Sequence, residues 1–417
     1  MNQFTLPQLP IPPQLIVSET GSFAYYTFTH RVPAIIEQVI AENNYPISVV
    51  SQLKTLAQDV LQGSICPLEN DGGEDIAPWN KYIIPYQNRL WLDTPFYFAE
   101  TYFYRRLLAA TQYFTVQLSE QKQDPFALQK QMSLMQVRES VRVQVRQYQD
   151  FNYSAHRRDD LWKQILRYLL YLNLWGNRAD LSLNPTKAGE FKHQSINNHN
   201  QQELVLIDDT SLVVNKISGF QNTRIDLIAD NAGFELITDL MLVDFLLTSE
   251  AAGKIHLHLK THPTFVSDAM IKDVHATLKF LAQESGKDVS ELAIRLQNYL
   301  ASGQLQLRDH LFWNAPLFFW EMPSELRQEL VQSSLVVIKG DANYRRLIGD
   351  CHWSKTSSFE QITSYFPTAC VVLRTLKSEV IVGLETNHIE QLNQEDARWL
   401  TNGSRGVVNF AEFAGVD

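Results

Sequence analysis

Cysteine is scarce in this chain of 417 residues, since Cys66, Cys351 and Cys370 are the three that occur. No two of them are close in sequence, and none belongs to a CxxC pair. The spacing therefore predicts neither a disulfide framework nor a zinc site built on cysteine thiolates.

Long apolar runs and targeting signals are missing as well. No apolar stretch approaches the roughly 18 residues that a membrane helix needs. The opening segment, MNQFTLPQLPIPPQL, lacks the basic and then apolar pattern of a signal peptide. From these absences we expect a cytoplasmic protein that has no membrane partner.

Positive charge is also in short supply, because 36 lysines and arginines face 46 aspartates and glutamates and leave a net charge of −10. General nucleic-acid binding relies on a surplus of cations, so we expect no nucleic-acid partner. An acidic chain can still carry one local positive pocket for a small anion. Neither G-x-G-x-x-G nor G-x-x-x-x-G-K-[ST] occurs, which argues against dinucleotide and nucleoside-triphosphate sites.

The first part of the chain, residues 1–195, carries mainly helical patterns. Helices are predicted over residues 32–61, from Asp93-Thr94-Pro95 onward, over 125–147 and over 159–174, the last of them ending at Gly176. A capping residue followed by proline is typical of a helix start. Gly, Asp and Pro predict a loop at 70–80, and the polar run at 185–202 is interpreted as a linker or surface loop.

The second part, residues 196–417, alternates short apolar β-rich runs with helical stretches. Strands are predicted at 204–207, 225–229, 254–259, 335–338 and 370–373. Such alternation is typical of a mostly parallel sheet covered by helices. We therefore predict a Rossmann-like, three-layer α/β/α catalytic domain that follows an N-terminal helical region.

Charged and amide side chains follow four of these predicted strands, where the ligands of open α/β sheets bind. They include Asp230 and Asn231, then Asp268, then Asp341 and Arg345, and last Arg374 and Lys377. Hard oxygen ligands suit magnesium or manganese, whereas helix N-termini and cations suit a phosphate. A metal beside an anion pocket would polarise a phosphoryl group and activate water. Taken one at a time, these residues are more often plain helix caps.

The same segments carry a family resemblance. They are DNAGFE at 230–235, FVSD at 265–268, GDANYRRL at 340–347 and RTLK at 374–377, and the first part adds WN at 79–80, ETYFYRRL from Glu100 and LWGNRADLS at 174–182. Together they resemble the damage-control phosphatase family. Within it they look like the subfamily with an Arg-Thr-x-Lys motif, also named acidic-residue or protein-glutamate O-methyltransferase. The resemblance spans about residues 79–385, with Phe96 standing where many relatives have tryptophan.

This resemblance implies roles for individual residues. Asp230, Asn231 and Asp268 would bind a divalent metal, commonly manganese or nickel, with cobalt or magnesium as alternatives. The substrate pocket would be lined by Glu235, Asp341, Asn343, Tyr344, Arg345 and Lys377. The family dephosphorylates sugar phosphates and related metabolites, so fructose 1-phosphate or fructose 6-phosphate are the expected kind of substrate. Asp230 and Asp268 are the catalytic candidates, either through a metal-activated water or by direct attack on phosphorus.

Several alternatives stay open at this point. The second family name implies an S-adenosylmethionine-dependent protein-glutamate carboxyl O-methyltransferase, and a non-catalytic binding protein on the same fold is a third hypothesis. His256 and His258, with His262 nearby, have a spacing that could suit zinc, although a polar strand face is the simpler interpretation. The arginine stripe at 138, 142 and 146 is interpreted as a solvated, salt-bridged face. Glu100 would either anchor the two parts of the chain or contribute to substrate binding.

Overall fold

The computed structural model describes residues 6–115, 123–151, 159–182 and 202–413, with the side chains of 177–182 left aside. Its first helices are α1 (Phe23–Tyr26), α2 (Val32–Glu42), α3 (Ile47–Gln62), α4 (Ile76–Ile83), α5 (Phe96–Ala110), α6 (Ala127–Gln136), α7 (Arg138–Asp150) and α8 (Asp160–Ser182). A π-helical turn at Thr27–Arg31 joins α1 to α2. The helical character predicted for the first part of the chain is thus confirmed.

Three of the helix and loop predictions in this region need correction. The stretch at 32–61 is two helices, because Pro46 caps α3 in an extended conformation and the chain turns before it. The loop predicted at 70–80 ends early, since α4 begins at Ile76 and buries Trp79. The helix predicted at 125–147 is broken at the buried Val137, where no glycine or proline marks the break. The linker predicted at 185–202 lies outside the described residues, apart from its last residue.

The prediction that the helix ends at Gly176 is wrong, because Gly176 lies within α8. A Cβ at this position would lie 2.9 Å from Thr238 Oγ1 and 3.1 Å from Glu235 Cα. The glycine therefore allows α8 to approach the helix that carries Glu235. The glycine therefore serves the close packing of two helices and does not mark the end of one.

The second part contains all seven strands of one sheet, in the order β1-β7-β6-β5-β2-β3-β4. The strands are β1 (Val205–Asp208), β2 (Thr223–Ile228), β3 (Ala252–Leu259), β4 (Leu305–Asp309), β5 (Leu335–Lys339), β6 (Cys370–Thr375) and β7 (Gly406–Ala411). Every neighbouring pair is parallel except β6 and β7. The predicted mostly parallel sheet is confirmed, and β4 and β7 are additions to the five predicted strands.

Helices α9 to α16 accompany these strands. They are α9 (Thr210–Ser218), α10 (Phe234–Thr248), α11 (Ile271–Gln283), α12 (Lys287–Ser302), α13 (Ser324–Val331), α14 (Asp341–Ile348), α15 (Phe359–Thr363) and α16 (Thr386–Glu395). Helix α10 is buried along almost its whole length, which matches its run of apolar residues on every face. In the described ranges, no helix is both long and apolar enough to cross a membrane.

Apolar side chains on the two faces of the sheet enter different core clusters. Leu227 and Val337 belong to a cluster with residues of α7 and α8, whereas Val336 and Ile338 pack with residues of α2, α3 and α5. Period-two alternation along buried strands accounts for this division. The sheet is thus the middle of three layers, and each core draws side chains from both parts of the chain. The domain boundary near residue 195 stays a prediction.

Candidate active site

Four neighbouring strands end at one edge of the sheet, because β6, β5, β2 and β3 are parallel and adjacent. Asp230 and Asn231 follow β2, and the loop to Asp268 follows β3. Asp341 begins the helix after β5, and Lys377 follows β6. The strand order therefore brings the predicted residues to a common edge.

The loops after β2 and β3 are joined by main-chain contacts. Asn231 and Asp268 form an isolated antiparallel bridge, and the Ala269 amide donates to the Asp230 carbonyl at 2.8 Å. Phe265 and Val266 in the second loop have positive φ values of 47° and 68°. Such a backbone is strained for a β-branched residue, and strain of this kind is concentrated at functional sites.

Side-chain hydrogen bonds link these loops to helix α10. The Asn231 amide donates to Asp230 Oδ2 at 2.7 Å and to Glu235 Oε2 at 3.0 Å. Ser267 Oγ donates to Asn231 Oδ1 at 2.5 Å. Asp230, Glu235 and Asp268 are all buried, and we call these three carboxylates the acidic cluster.

Burial and the repulsion of neighbouring carboxylates raise the pKa values of Asp230 and Asp268. The pKa of Asp230 lies well above its usual range because of burial first and then because of the nearby Glu235 and Asp268, against the opposing pull of Lys377 and Lys260. Burial also raises the pKa of Asp268 to about 6, although Lys260 and Lys130 oppose the shift. Crowded carboxylates of this kind are stabilised by a further cation.

Gly340 leaves the space that the Asp230 carboxylate occupies. Its φ is +89°, and a Cβ there would lie 2.0 Å from Asp230 Oδ2. A side chain at this position would therefore have to displace the carboxylate, besides adopting a left-handed backbone that favours glycine. The backbone at Gly340, just after β5, therefore leaves room for the side chain of Asp230, just after β2.

Two lysines near Asp268 were not predicted. Lys260 Nζ lies 3.4 Å from Asp268 Oδ2 and donates to the Trp313 carbonyl at 2.7 Å, and burial lowers its pKa. Lys130 Nζ, from α6, donates to the Asp268 carbonyl at 2.8 Å. The available signal for Lys260 was a lysine at the end of a buried strand, whereas no sequence signal connected residue 130 to residue 268.

A third buried lysine, Lys339, forms an ion pair with Glu235 of the acidic cluster. Its Nζ lies 3.2 Å from Glu235 Oε1 and 2.7 Å from Asp239 Oδ1. Burial opposes its charge, but these two carboxylates raise its pKa. Lys339 thereby fixes Glu235 on helix α10.

Asp341 accepts several hydrogen bonds on one oxygen, Oδ1. Arg374 Nε donates to it at 2.8 Å, the Lys377 amide at 3.1 Å and the Ser378 hydroxyl at 3.1 Å. Burial would raise its pKa, yet Arg374 and Arg345 outweigh this effect and lower it. The pairing of Arg374 with Asp341 therefore fixes the backbone position of Lys377, which is a half-buried residue.

The other predicted substrate residues of α14 are deeply packed. Asn343 Nδ2 donates to the carbonyls of Ala229 and Lys339 at 3.1 and 2.8 Å. The Tyr344 hydroxyl accepts from the Val382 amide at 3.1 Å. Both side chains thus tie strand ends together, and their substrate contacts stay a prediction.

Arg345 is held by carboxylates on both sides. Its Nη1 lies 2.6 Å from Glu100 Oε2, and its Nε lies 2.8 Å from Asp350 Oδ1. The guanidinium also lies over the Phe96 ring, 4.1 Å from its centre. Glu100 thus anchors α5 to the edge of the sheet. We call Asp341, Asp350 and Glu100, with Arg374 and Arg345, the arginine-paired cluster.

Asp230, Asn231 and Asp268 have the oxygen chemistry that a hard divalent cation prefers. They offer carboxylate and amide oxygens, and the buried Asp268 Oδ2 has the 3.4 Å ion pair with Lys260 as its contact among the described residues. Among the residues that the structure describes, no group of three or more His, Cys, Asp or Glu side chains is arranged to hold a metal ion. The predicted metal ligands differ from such a group, because they are two aspartates and one asparagine.

The histidines and the arginine stripe have other partners. His258 Nε2 lies 2.8 Å from Asp226 Oδ2, and His256 Nδ1 lies 3.2 Å from Glu329 Oε1. These carboxylate pairs favour the polar strand face over zinc. Arg138 and Arg142 both form ion pairs with Glu284, as expected of a salt-bridged helix face.

Comparison with known proteins places this arrangement in a family. A family model described as the damage-control phosphatase ARMT1-like domain matches residues 27–392. The chain belongs to the damage-control phosphatase family. The family resemblance predicted from the sequence is thereby confirmed, and phosphatase, a class of hydrolase, is the reaction class that this membership supports.

Full-length relatives agree with this assignment. The damage-control phosphatase ARMT1 of Danio rerio is 32% identical over 440 residues, covering 96% of this chain and 97% of the relative. That of Homo sapiens is 31% identical over 450 residues, covering 96% and 98%. A solved DUF89 family protein from Pyrococcus horikoshii superposes with a TM-score of 0.48 at 12% identity, covering 91% of this chain and 94% of that one. These damage-control phosphatase relatives give no support to the methyltransferase alternative.

Proposed function

We propose that this protein is a metal-dependent phosphatase that hydrolyses phosphomonoesters of small metabolites, with sugar phosphates such as fructose 1-phosphate or fructose 6-phosphate as substrates. The observation that carries the proposal is the acidic cluster with Asn231 beside Lys377, on the strand-end edge of a chain from a phosphatase family. Manganese or nickel is the proposed metal, with cobalt or magnesium as alternatives. The proposed location is cytoplasmic.

Asp230, Asn231 and Asp268 would hold the metal. A bound divalent cation supplies charge neutralisation, polarisation of the phosphoryl group and a lowered pKa for water. Lys339 holds Glu235 in place, and the Asn231 amide connects Glu235 to Asp230. These contacts preorganise the carboxylates before substrate arrives.

Lys377 would hold the phosphate oxygens through a charge-assisted hydrogen bond. Its effect on the pKa of Asp230 supports this role, because it means that the ammonium lies within electrostatic reach of the acidic cluster. Arg345 and Asp341 are proposed as substrate residues as well, although their paired state favours a supporting role around Lys377 and Glu100.

Either aspartate could take part in the transfer itself. In one route Asp230 or Asp268 attacks phosphorus, the P–O bond to the metabolite breaks, and water later hydrolyses the aspartyl phosphate. In the other route water attacks directly and one of these carboxylates accepts its proton. Both routes release the metabolite alcohol and inorganic phosphate.

A substrate screen tests the proposal. Purified protein is incubated with phosphorylated hexoses and pentoses, with manganese, nickel or a chelator, and released phosphate is measured. We expect release that the chelator abolishes and that Asp230→Asn lacks. Methyl transfer from labelled S-adenosylmethionine to protein carboxylates, without phosphate release from any sugar phosphate, would instead favour the methyltransferase alternative.

A further inference from the structure

A second polar recess is lined by side chains of β2, β3 and β4 on one face of the sheet. Its volume is about 500 Å³, and its lining includes Arg224, Lys254, His256, Gln306, Arg308 and Glu329. Strand register explains the grouping, because Arg224 is paired with Lys254 and His256 with Gln306 in neighbouring strands. We call it the basic recess.

The basic recess is positively charged within an acidic protein. Arg224, Lys254 and Arg308 contribute cations, and Glu329 contributes a carboxylate that lies 3.0 Å from Arg308 Nη2. Behind the recess, the fully buried Asp226 pairs with Arg224 Nε at 2.7 Å. The cations therefore outnumber the carboxylates even when Asp226 is counted, in a chain whose net charge is −10.

His256 provides a second, independent observation. Its ring lines the recess and is only 4% exposed. Nε2 is buried without a hydrogen-bond partner among the described residues, an arrangement that costs roughly 1–3 kcal/mol unless a partner is supplied. Burial, and then the nearby Arg224, lowers the pKa of the ring, so an anion beside it would favour its protonated form.

The basic recess is separate from the candidate active site. Arg224 lies at the start of β2 and Asp230 just beyond its end. Six residues of extended chain, about 20 Å, separate these two residues, and none of the residues that line the recess belongs to the acidic cluster.

We propose that the basic recess is a second ligand site, for a small phosphorylated metabolite. The Lys254 ammonium, with those N–H groups of Arg224 and Arg308 that do not pair with Asp226 and Glu329, matches the oxygens of a phosphate group. Gln306 and Glu329 offer partners for hydroxyl groups on the remainder of the ligand. The site is independent of the reaction proposed above, because none of its residues belongs to the acidic cluster.

Phosphate binding tests this proposal without any turnover. The full chain carrying Lys377→Ala, kept in chelator to weaken phosphate binding at the candidate active site, is titrated with inorganic phosphate while the ¹³C-labelled His256 ring is followed by NMR. The ring signal is assigned from His256→Gln. We expect a saturable shift that fits one site.

Matched variants decide whether the basic recess is responsible. Adding Lys254→Gln, at the exposed rim, or Arg308→Gln should raise the phosphate Kd at least tenfold. Adding Lys279→Gln, which removes one exposed charge on α11 outside the recess, should leave the Kd unchanged. No saturable shift, or equal affinity in all these proteins, would overturn the proposal, the second result meaning an adventitious ion only. Phosphate release by the wild type is assayed separately with metal, so failure of the proposed function is distinguishable.

Discussion

The acidic cluster and the arginine-paired cluster share one edge of the sheet but differ in their electrostatics. Asp230 and Asp268 are buried beside other carboxylates, and their pKa values are raised. Asp341 is only 12% exposed in its side chain, yet two arginines outweigh this burial and lower its pKa. The difference shows that burial alone does not define an active site. Carboxylates that lack sufficient cationic partners are candidates for metal binding, whereas those saturated by arginine hold the structure in place.

The largest expected effect comes from the acidic cluster. Asp230→Asn or Asp268→Asn removes a charged oxygen ligand and should lower phosphate release at limiting manganese by about 1000-fold or more, equivalent to about 4 kcal/mol in the barrier. Since Asp230→Asn also removes a buried carboxylate that is crowded by Glu235 and Asp268, it should not lower the free energy of unfolding of the metal-free protein. Near wild-type turnover in both variants would separate these residues from the metal site.

Breaking the arginine-paired cluster should affect stability instead. Arg345→Met leaves Glu100 and Asp350 buried without their shared cation, which should cost roughly 3–5 kcal/mol in the free energy of unfolding. Urea denaturation measures the loss. Arg327→Met, a half-buried arginine that donates to a carbonyl, serves as a control with a smaller loss. If Arg345→Met unfolds no more easily than this control, the contrast between the two clusters is wrong.

Lys377 stands between the two clusters, because its amide donates to Asp341 and its charge acts on Asp230. A charge-assisted hydrogen bond to phosphate is worth roughly 1.5–3 kcal/mol, so Lys377→Ala should lower kcat/KM about 10- to 150-fold. Some of this bond should strengthen in the transition state, so we expect kcat to fall and KM to rise. A change in KM alone would restrict Lys377 to ground-state binding, and unchanged constants would place the phosphate elsewhere.

The smallest expected effect is on the pH dependence of stability, and it comes from Asp239, which shares Lys339 with Glu235 of the acidic cluster. Burial raises the pKa of Asp239 to about 6 despite its pairing with Lys339. Between about pH 4 and 6 Asp239 therefore binds more protons in the folded protein than in the unfolded chain, and its contribution to stability should fall by about 1–3 kcal/mol as the pH rises through this window. Urea denaturation of the metal-free protein at several pH values measures the slope, which Asp239→Asn should flatten. A slope that is identical in both proteins would contradict the raised pKa.

Much of the architecture could be predicted from local patterns. The five predicted strands all exist, because buried parallel strands are short apolar runs bounded by turn residues. β4 was missed because its sequence, LQLRD, is half polar at the edge of the sheet. β7 was missed because its short GVVNFA run follows a long stretch of polar residues. The break at Val137 had no local mark at all.

The candidate site, like the fold, could be predicted only in part from the sequence. The oxygen ligands and cations that follow the strands could be read from the order of residues, since each of them adjoins a recognisable apolar run. The folded structure was needed to show that β6, β5, β2 and β3 lie side by side, that Lys130 reaches the Asp268 carbonyl from 138 positions away, and that Arg345 is held by Glu100. Periodicity and turn chemistry act over only a few residues. Charge pairing and burial instead depend on which distant segments the sheet brings into contact.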